Sequence, residues 1–486
     1  MRLLMMRVRL SSLILLGICF AGPAQEVLPH TQLLISQGDL STQMVAGIDQ
    51  LLPRGAAHSI AKREKYWQRD FSSAEAYDKS VQPNRERLRA MVGAVDARLP
   101  VTALELVSST ASPAKAGETE LFTVEAVRWP VFEGVHGEGL RLQPRGEPVA
   151  CIVAIPDADQ TPEMLAGLAP GLAPERQFAR RLAESGCEVL VPVLIDRQDA
   201  SSGNARINCF TNQSHREWIC RRAFPMGRHI IGYEAQKVAA AVDFFVGREQ
   251  KAESRKPKIG VAGYGEGGLM AFYAAALDRR IEAALVSGYF DSRQRLWEEP
   301  IYRNVFGLLR EFGDAEIASL IAPRALIVEY SAAPTVAGPP PPREGRAGAA
   351  SGRLQTPEYA SVEAEFERAR ALLRPANQKD FDRFKLITGA EGMTTGPGSD
   401  RALIALLNAL GVPSKELGRA RLSERAAVRS PDVGALGETR PATRPGFRVG
   451  EQPAQAPVDL RPAFDFEARQ QRQLKELEEY TQALVR

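Results

Sequence analysis

Charge of one sign is the first thing this sequence lacks. Of 486 residues, 62 are Lys or Arg and 59 are Asp or Glu, and Arg2, Arg7 and Arg9 are the basic residues of the first 24, which hold no acid. The remainder is neutral in formal charge, which excludes a generally basic nucleic-acid binder or a polybasic membrane binder. Long apolar runs are also missing. Leu13–Phe20 is too short to span a bilayer, and no later segment approaches 18 uninterrupted apolar residues, so no membrane span is expected in the mature chain. Cysteine is scarce, with five in all. There is no CxxC, no HExxH and no Cys/His cluster, so neither a metal nor a cofactor is expected.

What is present begins with a leader. The basic segment around Arg2, Arg7 and Arg9, the apolar stretch to Phe20 and the small residues of Gly22-Pro23-Ala24 read as a signal peptide over residues 1–24. A secreted or periplasmic protein follows from that, with an uncleaved anchor as the alternative. Cys151 and Cys187 open apolar runs and are expected to be buried. Cys209 and Cys220 share one polar segment, where export would permit a disulfide without requiring one. Asn212-Gln213-Ser214 fits a glycosylation acceptor.

Periodicity divides the rest. Residues 25–117 are polar, with helical patterning around Ala56–Asp78 and Asn84–Ala97, and are expected to form a mostly helical N-terminal extension. From Leu121 strands and helices alternate. Leu121–Val131 and Gly137–Leu142 read as antiparallel strands; Pro148–Ile155, Cys187–Ile195, Lys258–Gly263, Ile281–Tyr289, Arg324–Tyr330 and Phe384–Thr388 read as buried strands with helical segments between them. Thr161 and Ser399 are placed as helix N-caps. The alternation predicts an α/β domain over 118–412, its mostly parallel sheet covered on both faces. Residues 413–462 are rich in Pro, Gly, Ala and Arg and read as a linker. Residues 463–486 read as an amphipathic helix with Leu474, Leu477 and Leu484 on one face, which either packs on its own domain or contacts another.

The most informative segment is Lys258 to Gly268, a strand, a Gly-rich turn and a buried helix. Strand–turn–helix with small residues around the apex is the setting of a nucleophile elbow. Gly263-Tyr264-Gly265-Glu266-Gly267-Gly268 resembles the G-Y-C-x-G-G elbow of dienelactone hydrolases, with Gly265 at the nucleophile position. Ile321-Ala322-Pro323-Arg324-Ala325-Leu326 resembles the lead-in to the seventh strand of acetylxylan-esterase-like hydrolases. The resemblance covers residues 118–412 and implies an α/β-hydrolase fold, carboxylic-ester chemistry, and a small-molecule or carbohydrate ester as ligand. It also implies that the terminal helix could meet a second hydrolase domain.

The resemblance places a His between the last strand and last helix, yet Gly389–Ser399 holds none, and no His follows His229. It places an acid after the seventh strand, yet Ser331–Thr335 has no carboxylate; Asp291 fits the alternative place after the sixth. Without a triad, roughly 10³–10⁴-fold acceleration is what an oxyanion hole and binding alone can supply. That hole would use the N–H groups of Glu266 and of a residue near Ala158. His215, in the polar insertion 197–226, and His229, opening the next helix, lie on the ligand edge of the sheet. Each is either a ligand contact or a structural His. His229 is expected to be neutral, near a helix N-terminus and several arginines. Tyr264 either lines the pocket or packs. Two readings follow: a non-catalytic binding or scaffolding pseudo-hydrolase, or an active ester hydrolase with rearranged machinery drawn from Glu266, His229, His215 or Asp291.

Overall fold

The computed structural model describes residues 28–109, 112–249, 258–373, 381–412, 456–461 and 464–485. The leader and residues 413–455 of the linker lie outside the described residues. The chain divides into two units at Arg54/Gly55. In the first unit Asp39 starts a helix by accepting from the Ser41 N–H at 3.0 Å and from the hydroxyls of Ser41 and Thr42. That helix, α1 (Leu40–Lys62), carries into the second unit, and α2 (Ala74–Met91) follows, capped by Ser73. Both helices start earlier than their apolar patterning suggested, because the caps at Asp39 and Ser73 set the starts.

The strands are β1 (Glu105–Leu106), β2 (Lys115–Glu118), β3 (Phe122–Phe132), β4 (Val135–Pro144), β5 (Cys151–Ile155), β6 (Glu188–Pro192), β7 (Gly203–Asn204), β8 (Cys209–Phe210), β9 (Ile259–Tyr264), β10 (Ala283–Ser287), β11 (Ala325–Glu329) and β12 (Phe384–Ile387). The main sheet runs β1-β3-β4-β6-β5-β9-β10-β11-β12, with β2 beside β3. Its β3–β4–β6 edge is antiparallel, and from β6 to β12 all pairs are parallel. Strands β5, β6, β10 and β11 are buried at every residue, as a sheet covered on both faces requires.

The covering helices are α3 (Pro162–Ala166), α4 (Phe178–Glu184), α5 (His215–Ala223), α6 (Ile230–Glu249), α7 (Glu266–Leu277), α8 (Asp314–Ser319), α9 (Tyr359–Ala371), α10 (Asp400–Ala409) and α11 (Phe466–Ala483). On one face Val238 of α6 and Leu269 of α7 join one apolar cluster; on the other Leu182 of α4 and Leu406 of α10 join a second. Thr161 and Ser399 do cap α3 and α10, accepting from Met164 N–H at 3.2 Å and Ala402 N–H at 3.4 Å. The strand order and the strand–turn–helix at β9–α7 make this an α/β-hydrolase fold. Among the described residues no helix is long and apolar enough to cross a membrane.

Three points follow from the packing. Residues 55–109 pack with the sheet: Trp67, Tyr77, Val81 and Leu88 belong to the main core and β1 pairs with β3, while β2, at Lys115–Glu118, pairs with β3 as well. Helix α11 docks on its own domain rather than offering its apolar face to a second one. Leu474 and Leu477 are buried in the main core, Tyr480 stacks on Phe132, and Arg469 and Arg461 both hold the buried Glu163. The end of the linker is docked too, Leu460 N–H donating to the Ala116 carbonyl at 2.9 Å. Finally, Cys209 is exposed, Cys220 is buried and the two form no disulfide.

Candidate functional site

The elbow is built as its glycines require. At the apex Gly265 has φ +59° and ψ −118°, a conformation L side chains rarely adopt. Gly263 faces α7 so closely that a Cβ there would meet the Gly267 carbonyl oxygen at 2.0 Å. Strand and helix therefore approach as a nucleophile elbow demands, and the apex presents no side chain.

The space above the apex is filled. A Cβ on Gly265 would fall 2.3 Å from Asp157 Oδ1 and 2.6 Å from Pro334 Cγ. Asp157 lies in the loop after β5, next to Ala158, where the second oxyanion donor was expected. Its Oδ1 accepts the Glu266 N–H at 2.9 Å. The N–H that would stabilise an oxyanion is thus already donated to a carboxylate of the chain itself.

Arg197, just beyond β6, locks that carboxylate in place. Its Nη1 donates to Asp157 Oδ2 at 2.6 Å and its Nη2 to Asp157 Oδ1 at 2.9 Å, the forked geometry that suits a carboxylate. Arg197 also reaches Asp159 at 2.8 Å, Glu266 at 3.3 Å and the Tyr302 hydroxyl at 3.1 Å. Asp157 is only 3 % exposed. Burial pushes its carboxyl upward, but the hydrogen bonds and charge of Arg197, with the Glu266 N–H, hold it below the ordinary carboxylate range.

Glu266 is fully buried and ringed by cations. Arg303 Nε donates to it at 2.8 Å, Arg197 Nη2 lies at 3.3 Å and Arg216 Nη2 at 3.6 Å. Burial raises its pKa, and the charges of Arg303, Arg216 and Arg197 outweigh that, leaving it lowered. Arg216 in turn pairs with the buried Glu234 at 2.8 Å. Three arginines and the carboxylates of Asp157, Asp159, Glu234, Glu266 and Glu299 thus form one paired network. A carboxylate held ionised among arginines is a poor proton acceptor.

The other expected residues are scattered around this network. His229 Nε2 faces the Asn304 carbonyl at 3.2 Å and Cys220 Sγ at 3.4 Å, while Nδ1 accepts the Ile231 N–H at 3.2 Å. Its hydrogen bonds do not run to Glu266. Burial pulls its pKa down to about 4, so it is neutral at pH 7. Burial is the main cause; of the arginines, Arg216 contributes, and the contact with the Asn304 carbonyl opposes. His215 is held at both ring nitrogens, with Nε2 accepting the Ser201 N–H at 2.9 Å and Nδ1 on Asp196 at 2.6 Å. Asp291 accepts from Ser361 Oγ at 2.5 Å, and burial raises its pKa. The Tyr264 hydroxyl donates to the Ala332 carbonyl at 3.0 Å, and burial pushes its pKa up to about 12. Asn212 is buried, its side chain bonded to Pro340 and Ala349, so it is no glycan acceptor.

Sequence reasoning missed Asp157, Arg197 and Glu329. Glu329 ends β11, just before the loop in which an acid was sought. Its carboxylate accepts the Gly398 N–H at 2.7 Å and the Ser399 N–H at 2.8 Å, and the Ser287 hydroxyl also donates to it. It therefore reaches the very loop where a His was sought, and binds backbone there. The residue type at a strand's carboxyl end was the available signal. As arranged, these groups can hold charge and shape.

No protein-family model and no curated protein sequence matches the chain. Among solved structures, a Bacteroides fragilis protein assigned as an acetyl xylan esterase is 15 % identical, with TM-score 0.47, over 77 % of this chain and 91 % of that one. A glucuronoyl esterase from Solibacter usitatus is 14 % identical, with TM-score 0.42, over 68 % and 93 %. Acetyl xylan esterase 1 from Thermoanaerobacterium is 15 % identical, with TM-score 0.38, over 72 % and 98 %. These likenesses are remote, and the fold assignment stands on the strand order and the elbow described above.

Proposed function

We propose that this is an exported, non-catalytic hydrolase-fold protein that acts by binding or scaffolding. One observation carries the reading: Asp157 sits on the Glu266 N–H, above a glycine apex, and is clamped there by Arg197. In an ester hydrolase that N–H must be free to meet a developing oxyanion. A substrate oxygen would first have to displace a buried, doubly hydrogen-bonded carboxylate. Removing one partner from such a buried pair costs about 3–5 kcal/mol. A nucleophile would still be absent at Gly265, and the loop 389–399 has no His. Rearranged catalysis through Glu266, His229, His215 or Asp291 has no support of this kind, since their hydrogen bonds run to separate partners and bring no two of them together.

Hydrolysis of p-nitrophenyl acetate and butyrate by the purified full chain tests this. The expected rate is that of the free reaction in buffer. Saturable turnover that disappears in Glu266→Gln would overturn the reading.

A further inference from the structure

A cavity of about 290 Å³ lies at the end of the sheet away from the elbow. Helix α7 begins at the elbow and runs 12 residues to Leu277, so its far end is about 18 Å away. There α2, the segment after it, α6 and the turn between α7 and β10 border the cavity. Five arginines line it: Arg85 and Arg89 of α2, Arg98 of the following segment, and Arg279 and Arg280 of the turn. Among the described residues that line it, Asp278 is the one carboxylate.

The carboxylates that pair with these arginines are outnumbered. Asp78 is shared by Arg85 at 3.1 Å and Arg279 at 2.5 Å, and Asp243 by Arg98 at 2.9 Å and Arg280 at 2.7 Å. Arg280 also holds Asp278 at 2.6 Å, and Arg89 lies 3.3 Å from Glu86. Asp78, Asp243 and Glu86 stand off the wall, so a group entering the cavity meets five positive charges and one negative. The excess acts on the protein itself. Arg324 shares the Leu320 carbonyl with Arg85, and its pKa is pulled down to about 10, by burial first and by the charge of Arg85 next. Donors within reach of a ligand remain. Arg279 keeps 61 % of its side chain exposed and Arg280 keeps 37 %. Among the described residues Arg279 has no ion-pair or hydrogen-bond partner but Asp78, and a guanidinium carries five N–H groups.

We propose that this cavity binds a phosphate group, free or as the monoester of a small molecule. Guanidinium groups from three segments suit a compact tetrahedral dianion, whose oxygens accept from several directions. A planar carboxylate is satisfied by a single arginine fork. Arg279 and Arg280 reach the phosphate from the turn, and Arg89 and Arg98 from the side of α2. Arg85, fixed on the Ala276 and Leu320 carbonyls, adds charge beneath it. The site shares no residue with the elbow, so it goes beyond the reading above and does not depend on it.

Isothermal titration of the full chain with inorganic phosphate at constant ionic strength tests the site. One phosphate per chain should bind with Kd between roughly 0.01 and 1 mM, and succinate, also a dianion, about tenfold more weakly or worse. Glycerol phosphate titrated in parallel separates the two sources: tighter binding than inorganic phosphate assigns a monoester, weaker binding the free ion. Arg279→Gln and Arg280→Gln should each weaken phosphate binding about fivefold or more, with the melting temperature within a few degrees of the parent's. Arg145→Gln, at an exposed arginine outside the cavity, should leave it unchanged. Absence of heat with phosphate, succinate bound as tightly, parental affinity in both cavity variants, or an equal loss in Arg145→Gln would overturn the inference. Ester turnover would instead overturn the non-catalytic reading and leave this result standing.

Discussion

Gly265 and Asp157 occupy one volume between them. A glycine at the apex leaves room for the Asp157 carboxylate, and the carboxylate removes the room for anything else. Gly265→Ser would both strain φ at +59° and drive a Cβ to 2.3 Å from Asp157 Oδ1. It should destabilise the fold by about 3–5 kcal/mol, the cost of disrupting a buried ion pair, as read by chemical denaturation. Adding Asp157→Ala should not restore the parent's stability, because the strain at φ +59° and the Pro334 Cγ contact at 2.6 Å remain and Arg197 loses a buried partner. Neither variant should gain esterase activity. A Gly265→Ser protein as stable as the parent would show that the space above the apex is open.

His229 makes a second prediction at this scale. Its folded pKa is about 4, depressed by burial, against about 6.5 in an unfolded chain. Above pH 6.5 both states hold it neutral and its contribution is complete. Between 6.5 and 4 the unfolded chain takes a proton that the folded one refuses, so stability falls as pH falls, by on the order of 3 kcal/mol in all. His229→Asn should flatten the pH dependence of the unfolding free energy in that window by about this amount. An identical slope in the two proteins would contradict it.

Among the elements, α11 carries the clearest consequence. Leu477 is fully buried in the main core, so Leu477→Ala should cost about 2–5 kcal/mol in urea unfolding. A helix reserved for another domain would tolerate the change without loss. The α11 sequence made its amphipathicity plain through Leu474 and Leu477, but a stripe says only that one face is covered, never by what. The strands and the elbow were far more legible. Gly263, Gly265 and Gly267 stand where strand and helix nearly touch, and the period change at Leu121 marks where the long antiparallel strands begin. The helices before it were misplaced because Asp39 and Ser73, not the apolar pattern, set their starts.

At the scale of the whole molecule, a hydrolase-fold sheet carries long-range charge pairing over its elbow. Asp157 reaches Arg197 40 residues away and Glu266 109 residues away. No local pattern announces such pairings, which is why the glycine apex was readable from the sequence and the carboxylate above it was not. The insertion 197–226 is likewise tied to a distant loop, Arg343 pairing with Asp199 and Arg346 donating to the Asp199 carbonyl at 2.7 Å.

The central claim is that the elbow offers no reactive group and no vacant oxyanion hole. Intact-protein mass spectrometry after incubation with an excess of a serine-directed fluorophosphonate tests it most directly. The account predicts the unmodified mass throughout. A stoichiometric adduct on a residue beside Gly265 would contradict it.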